Sequence, residues 1–410
     1  MMSENLKKNW SNYFQIYVFV LIFFGVFFLY SKHDVGNDSS LSDWLINYEG
    51  GFVRRGLIGE LITNFSTMMS FKLRDSILIF QLFFFISYYF LVILFCKSLF
   101  KNRLIILAIF SPIFILYPVA EIEVLGRKEL IIFIIFLSYL LFDIKSLKVQ
   151  FIYKLILFPA SILTWEPVFL FFPFIFLIDL FVFKIKKFDK KFLYVLLSYL
   201  ISIFFVIVIY LNPFPKENFN IMRDFLKDEF DETCYMSCDF VGKQSANSFS
   251  ELFKMFLEKL KFTYILRYLI MIVVGFFPLY LLFRSSKINS KNQVMLISKF
   301  KNLSFPFLLA FLPSTILYLV MHDWARVVHI SYTFSLLTFL YLIKENFIEL
   351  SNRKIQANYL FKVSNKIFII VFFLFAFGWN PKVVISDDVA SKPIYATPYK
   401  FYKYFIRDKF

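Results

Sequence analysis

Eleven blocks of apolar residues recur along the 410-residue chain, and most have about the length of a membrane-spanning α-helix, roughly 20 residues. Hydrophobic residues make up 59% of the chain, whereas soluble domains contain about half. The sequence therefore predicts an all-α, polytopic integral membrane protein with about 11 transmembrane helices in a single membrane domain, 1–410. The blocks are 13–30, 76–96, 104–119, 129–143, 151–165, 167–183, 192–212, 263–283, 304–320, 329–343 and 366–380.

The basic residues are concentrated on one side of this predicted bundle. Roughly half of the 45 Lys and Arg, but only about a fifth of the 29 acids, fall on the side that holds Lys7 and Lys8. Short loops rich in Lys and Arg stay in the cytoplasm, which predicts an N-in, C-out topology. The net charge of +16 then reflects topology, and no nucleic-acid partner is expected. The first block is too long for a signal peptide, and no small-residue cleavage site follows it.

Three segments predicted outside are long enough to carry structure of their own. The first periplasmic loop, 31–75, includes an apolar pattern from Leu57 to Ser70 that predicts an interfacial amphipathic helix. A loop of about 50 residues follows at 213–262, and 381–410 forms a tail. Cys234 and Cys238 lie four residues apart in the large loop, so we expect a disulfide in an oxidising compartment. That loop contains no His or further Cys that would favour a metal site.

The stretch 42–60, just beyond the first block, carries the densest set of candidate site residues. Asp43 and Glu49 are carboxylates that could act as a base. Gly50 and Gly51 would let the backbone approach a ligand. The adjacent arginines, Arg54 and Arg55, suit a phosphate or carboxylate group. A positively charged turn that only anchors the chain to lipid head groups is the alternative.

Three further turns that carry charged residues are predicted on the same side: 121–129, 165–167 and 322–329. Their candidate site residues are Arg127, Lys128, Glu166, His322, Asp323 and Arg326. Each has a structural alternative: solvated loop charges in the first turn, capping of a helix by Glu166, and a hydrogen-bonded helix residue for His329. The loops predicted in the cytoplasm carry no comparable set. Convergence of acids and arginines on one face is the main functional signal.

Several catalytic motifs are missing from the sequence. It contains no P-loop, no His-Glu-x-x-His pair and no Gly-x-Ser-x-Gly elbow. A soluble nucleotide-sugar donor is also disfavoured, because the charged turns face away from the cytoplasm. The pattern instead fits a substrate carried in the membrane by a lipid, with a phosphate or diphosphate head at the outer face.

The chain resembles the O-antigen (repeat-unit) polymerases of bacterial surface-polysaccharide clusters in size, number of spans, Phe-, Ile-, Leu- and Tyr-rich composition and its large late loop. Three runs are similar to motifs of polytopic proteins from such clusters: Gly50-Gly51-Phe52-Val53-Arg54-Arg55-Gly56-Leu57, Gly126-Arg127-Lys128 and His322-Asp323-Trp324-Ala325-Arg326. The early acidic loop also resembles the GT-C superfamily, in which an acid of the first extracytoplasmic loop serves as base. That resemblance implies this role for Asp43 or Glu49.

Taken together, the residues and the resemblance predict a glycosyltransferase at the periplasmic face of a bacterial inner membrane, most simply a polymerase of undecaprenyl-diphosphate-linked repeat units. Its partners would be the lipid-linked oligosaccharide, membrane lipid and other polysaccharide-assembly proteins, with no cofactor or metal. Asp43 or Glu49, with Glu166 or Asp323 in reserve, would deprotonate the acceptor. The alternatives are a GT-C transferase that adds one sugar and a non-enzymatic transporter or flippase of lipid-linked glycans.

Overall fold

A computed structural model describes residues 4–35, 39–142, 146–185, 187–243, 249–260, 262–289, 294, 300, 303–321, 323–351 and 363–379. The predicted tail 381–410 and the candidate residue His322 lie outside these ranges. Within them the chain is almost entirely helical, as the apolar blocks predict. The one sheet pairs two short antiparallel strands, β1 (Ser286–Ile288) and β2 (Ile348–Leu350).

The helices follow one another with short connections. From the N-terminus they are α1 (Glu4–Lys32), α2 (Ser39–Ser42), α3 (Gly56–Met69), α4 (Leu73–Cys96), α5 (Arg103–Ile109), α6 (Tyr117–Ala120), α7 (Glu129–Leu141), α8 (Leu147–Thr164), α9 (Phe172–Val182) and α10 (Lys190–Leu197). They continue with α11 (Leu200–Leu211), α12 (Lys216–Phe230), α13 (Ser237–Val241), α14 (Phe249–Lys259), α15 (Phe262–Ser285), α16 (Ser304–Phe311), α17 (Leu317–Val320), α18 (Trp324–Lys344) and α19 (Asn365–Phe377). Single turns of tighter or wider helix occur at Asp43–Leu45, Pro112–Leu116, Ile122–Val124, Glu166–Phe171 and Leu312–Ile316.

Each of the eleven apolar blocks overlaps a helix of the structure. In the part of the chain that the structure describes, seven helical segments are long and apolar enough to cross a membrane. They are Lys8–Lys32, Leu73–Cys96, Arg103–Ala120, Leu147–Thr164, Lys190–Leu211, Tyr268–Ser285 and Trp324–Lys344. Three shorter apolar helices are Glu129–Leu141, Ser304–Val320 and Asn365–Phe377. The chain is thus an all-α membrane protein.

Two segments form the centre of the bundle. The apolar stretches of Arg103–Ala120 and of α18 are each 94% buried by the other helices. The first is interrupted at Pro112, which lacks the N–H that would continue the helix. Three buried side chains contact carbonyl oxygens around this break: Tyr332 Oη donates to Ala108 O (2.7 Å), Tyr89 Oη donates to Ile115 O (2.6 Å), and His329 Nδ1 lies 2.8 Å from Ile113 O. His329 is therefore a hydrogen-bonded core residue.

The ends of the bundle are joined by contacts between segments that the topology assigns to the same side. At the predicted cytoplasmic end, Ser11 Oγ donates to Lys97 O (2.9 Å), and Arg103 Nη1 donates to Val363 O (2.9 Å). At the other end, called the outer end below, loop 31–75 contacts the turns at 121–128 and 165–167 and the loop 213–262. These contacts agree with the alternation of spans; the side that faces the cytoplasm stays a prediction.

A cap of two helices, α12 and α13, covers the loop that follows α2. Apolar side chains of the cap, including Met222 and Leu226, form a separate small core with Trp44, Leu45 and Ile46. Cys234 and Cys238 are joined by a disulfide between these two helices. The predicted amphipathic helix forms α3, which buries Ile58 and Ile62 and exposes Leu61 and Met68.

Candidate functional site

The early loop is attached to the turn before α7 through backbone carbonyl groups. Trp44 Nε1 donates to Gly126 O (2.9 Å), and Gln81 Nε2 donates to Gly126 O (3.2 Å) and to Ser40 O (3.1 Å). Gly126 has φ +69°, which favours glycine over residues with a Cβ. These bonds place Asp43, which precedes Trp44, beside Arg127, which follows Gly126.

Asp43 lies in a buried turn between two arginines. Its Oδ2 is 3.5 Å from Arg127 Nη1 and 3.9 Å from Arg326 Nη2. Arg326 lies in the first turn of α18, donates a hydrogen bond to Glu129 Oε1 and is 3.7 Å from Asp323. Asp43, Glu129 and both arginines are buried. An ion pair this deep is tolerated only when each charge has a partner, and here every charge has one.

A second ion pair lies beside the first. Arg55 donates from Nε and Nη2 to the two carboxylate oxygens of Glu166, both at 2.8 Å. Arg54 Nη1 is 3.8 Å from Glu166 Oε1. The three side chains are about one-fifth exposed, so this pair lies closer to the surface than Asp43.

Two contacts join these pairs into a single group. Lys128 Nζ donates to Arg55 O (2.7 Å), and the Arg326 guanidinium lies 5.7 Å from the centre of the Trp165 ring. Trp165 directly precedes Glu166. We call the resulting group the charge cluster; it consists of Asp43, Arg54, Arg55, Arg127, Lys128, Glu129, Glu166, Asp323 and Arg326.

The pKa values outside the membrane spans follow from burial opposed by neighbouring charges. Burial alone would raise the pKa of Asp43, but Arg127 and the other nearby cations lower it to about 2. Burial lowers the pKa of Lys128 to about 7, against the opposing effect of Asp43. For Glu166, burial is outweighed by Arg55, so its pKa lies below the ordinary value. Asp43 and Glu166 are therefore ionised at neutral pH.

Some buried polar atoms of the charge cluster have no hydrogen-bond partner in the described part of the chain. They are Asp43 Oδ1, Glu129 Oε2, Arg54 Nε, Arg326 Nε and the neighbouring Trp165 Nε1. Buried polar groups are nearly always hydrogen-bonded, so these atoms mark where a polar ligand can bind. A small pocket lies next to them, lined by Pro118, Val124, Arg127, Glu129, Leu130, Phe133, Arg326, His329 and Ile330.

Most of the candidate residues from the sequence meet in the charge cluster, but three do not. Glu49 is exposed, and only its backbone N–H bonds nearby, to Asn47 Oδ1 (3.0 Å). Gly50 and Gly51 face the cap: a Cβ on Gly50 would lie 2.0 Å from Asn218 O of α12. The glycines thus allow close packing of two protein segments, and not the ligand approach that the sequence predicts.

This packing gives a testable prediction for Gly50. Gly50→Ala should lower the free energy of unfolding by about 1–3 kcal/mol, because its Cβ would overlap a backbone carbonyl of α12, which can move only with its helix. Thermal unfolding of the purified protein measures this change. Glu49→Ala, at the adjacent exposed position, should leave the unfolding temperature within about 1–2 °C of the wild type. Equal stability of Gly50→Ala and wild type would contradict the close contact.

The sequence analysis did not select two charged groups that the structure brings into contact. Glu129 stands directly after Lys128, at the start of an apolar block, where an acid also suits a helix N-terminus. Lys154 and Asp179 form an ion pair inside the bundle. The signal for the second pair was present, since each is an ionisable residue within an apolar block.

The described ranges contain no group of three His, Cys, Asp or Glu side chains placed to hold a metal ion. The charge cluster therefore offers guanidinium, ammonium and carboxylate groups as its chemistry. Comparison of the chain with protein-family models, with curated proteins and with solved structures finds no match in any of the three.

Proposed function

We propose that this protein is a glycosyltransferase that acts at the extracytoplasmic face of a bacterial inner membrane on a glycan carried by a polyprenyl diphosphate, most simply a polymerase of repeat units. One observation carries the proposal: Asp43 is a buried, ionised carboxylate between two arginines, and its Oδ1 has no hydrogen-bond partner in the described chain. Glycosyl transfer to a hydroxyl needs such an acceptor for the proton, together with cations for the leaving group.

The reaction assigns Asp43 to the acceptor hydroxyl. The hydroxyl oxygen forms a bond to the anomeric carbon of the donor, the bond from that carbon to the diphosphate oxygen breaks, and the proton passes from the hydroxyl to Asp43. A carboxylate with a pKa near 2 is a weak base, so it takes the proton late, when the hydroxyl has become acidic. Its earlier role is to orient the hydroxyl through Oδ1.

The other acids are less suited to this role. Both oxygens of Glu166 accept hydrogen bonds from Arg55, and the exposed side chain of Glu49 lies outside the charge cluster. Asp323 is the reserve candidate, since its side chain is partly exposed and close to Arg326. Asp43 is therefore our choice among the four acids.

The two adjacent arginines have different roles in this proposal. Arg55 is engaged by Glu166 on two of its nitrogens, whereas the nearest acid to Arg54 is 3.8 Å away and Arg54 Nε has no hydrogen-bond partner among the described residues. A guanidinium with available donors suits a phosphate oxygen. We therefore assign the diphosphate to Arg54, with Lys128 and Arg326 adding positive charge nearby.

Two alternatives remain. A GT-C transferase that adds one sugar from a polyprenyl-phosphate donor would use the same residues and differ in its product. A transporter or flippase of lipid-linked glycans is favoured by one observation, the ion pair of Lys154 and Asp179 within the bundle, because transporters bind their substrates at membrane depth.

The test compares surface glycan on a gel from cells that lack the protein, from cells with the wild type restored, and from cells with Asp43→Asn. For a polymerase we expect the ladder to collapse to a core with one repeat in the deletion and in Asp43→Asn. The matched control is Asp228→Asn, on the exposed face of α12, which should keep the ladder.

The other outcomes separate the alternatives. A ladder that persists with altered mobility or sugar content indicates a single-sugar transferase. Accumulation of lipid-linked units on the cytoplasmic face indicates a transporter. No change of the glycan in the deletion contradicts all three functions.

A further inference from the structure

Five polar side chains meet inside the bundle, away from the charge cluster. Asp179 of α9 forms an ion pair with Lys154 of α8 and also accepts hydrogen bonds from Tyr139, from Gln150 Nε2 (2.6 Å) and from Tyr199 Oη (2.7 Å). Lys154 Nζ also donates to Tyr199 Oη (3.1 Å). All five side chains are buried. We call this group the inner lock.

The inner lock is closed and nearly complete. Lys154 and Asp179 are 0% exposed, and Gln150 Oε1 is the only side-chain atom of these five residues that is buried without a hydrogen-bond partner in the described chain. A buried charge pair contributes little net stability compared with apolar residues of the same volume. A fully bonded polar network instead fixes one arrangement of the helices that it joins. The inner lock therefore suits a role in alignment better than a role as a binding site.

Its position relates it to the charge cluster. Lys154 and Asp179 lie on the two legs of one helical hairpin, α8 and α9, and Glu166 lies at the tip between them. Twelve residues separate Lys154 from Glu166, roughly 18 Å along a helix. A shift of one leg against the other would therefore move Glu166 relative to Arg55.

The leg formed by α8 has a weak point between the two ends. Pro159 lies inside this helix, between Lys154 and Glu166. Proline removes one helical hydrogen bond and clashes with the carbonyl of the preceding turn, so it allows the helix to bend. Because of Pro159, helix stiffness alone does not determine where Glu166 lies, and a fixed base is needed.

We propose that Lys154 and Asp179 are positioning residues: by fixing the register of α8 against α9, the inner lock holds Glu166 in contact with Arg55. The inference deepens the proposed function, because Arg55 and Glu166 belong to the same site. Its test does not use the glycan, so a glycan that is independent of this protein would remove the proposed function and leave this result intact.

The experiment measures how strongly Arg55 and Glu166 stabilise each other, by thermal unfolding of the purified full chain. Arg55→Met, Glu166→Gln and their double variant form a cycle, whose non-additivity reports the pair. The cycle is run in the wild type and in Lys154→Met/Asp179→Leu, which replaces the ion pair by apolar residues. Lys154→Met alone should lower the unfolding temperature by roughly 5 °C or more, and the double replacement should recover most of this loss.

We expect the coupling of Arg55 with Glu166 to fall to less than about half in the apolar background. Arg74 and Glu232, a hydrogen-bonded pair outside the hairpin, serve as the control and should keep their coupling. An undiminished coupling of Arg55 with Glu166, or an equal loss in both pairs, overturns the proposal. If the apolar variant does not fold, Lys154→Gln/Asp179→Asn provides the second background, with the same criteria.

Discussion

Arg55→Ala should lower the free energy of unfolding by about 2–4 kcal/mol, because Glu166 would lose both of its short hydrogen bonds and remain as a charge in a mostly buried position. Removing one partner of a buried pair costs about 3–5 kcal/mol, and the one-fifth exposure of these side chains reduces that value. Thermal or denaturant unfolding of the purified protein measures the change.

Two variants control this result. Arg55→Ala/Glu166→Ala removes the unpaired charge and should recover more than about half of the lost stability. Arg223→Ala removes a half-exposed arginine whose partner is its exposed neighbour Asp224, and should change the stability by less than about 0.5 kcal/mol. Wild-type stability of Arg55→Ala would show that the pair with Glu166 does not exist in solution.

The neighbouring arginine should respond differently. Arg54 makes one ion pair, at 3.8 Å, so Arg54→Ala should cost only about 0–1 kcal/mol. If Arg54 binds the diphosphate, the same variant should nevertheless lose the polymer ladder at normal membrane levels. A retained ladder in Arg54→Ala would contradict its assignment to the substrate, even if Arg55→Ala behaves as expected.

Asp43→Asn should abolish polymer formation and also change how stability depends on pH. The neutral amide keeps the shape of the side chain but cannot take a proton, and loss of a general base typically lowers a rate by about 10²–10⁴-fold. The carboxylate pKa falls from an ordinary 3.8 to about 2 in the folded protein. A shift of this size corresponds to about 2–3 kcal/mol of stability.

The sign of the pH effect follows from the lowered pKa. The folded state holds Asp43 ionised more strongly than the unfolded state does, so its stabilisation is fully present above about pH 4 and disappears as the pH falls toward 2. The difference in unfolding free energy between wild type and Asp43→Asn should therefore be constant near neutral pH and shrink below about pH 4. A difference that does not change with pH would mean that Asp43 is not held ionised by Arg127 and Arg326.

Much of the fold could be predicted from local patterns. The apolar blocks coincide with helices because the length and hydropathy of a segment decide whether it can span a bilayer, whatever its neighbours are. The disulfide between Cys234 and Cys238 was likewise within reach of the sequence, since a spacing of four residues allows it. The interruption at Pro112 and the central position of α18 were not predicted, because an apolar pattern does not tell a helix that faces lipid from one that faces other helices.

The candidate site was predicted as a set of residues but not as a set of contacts. Glu49 and Asp43 look equivalent in the sequence, yet only Asp43 is enclosed by arginines. Arg54 and Arg55 are adjacent, but their side chains leave the backbone in different directions, and only Arg55 reaches both oxygens of Glu166. Gly50 and Gly51, read as ligand contacts, prove to be packing positions against the cap.

The sequence by itself determined that this protein is a helical membrane bundle and that its acids and arginines lie in turns predicted on one side. Both properties depend on residues that are close together in the chain. Only the tertiary structure decided which charges pair, since Arg55 and Glu166 are 111 residues apart and Arg326 and Glu129 are 197 apart. Such pairs form where packed helices bring their ends together, and that packing depends on the shapes of distant side chains, which no single segment specifies.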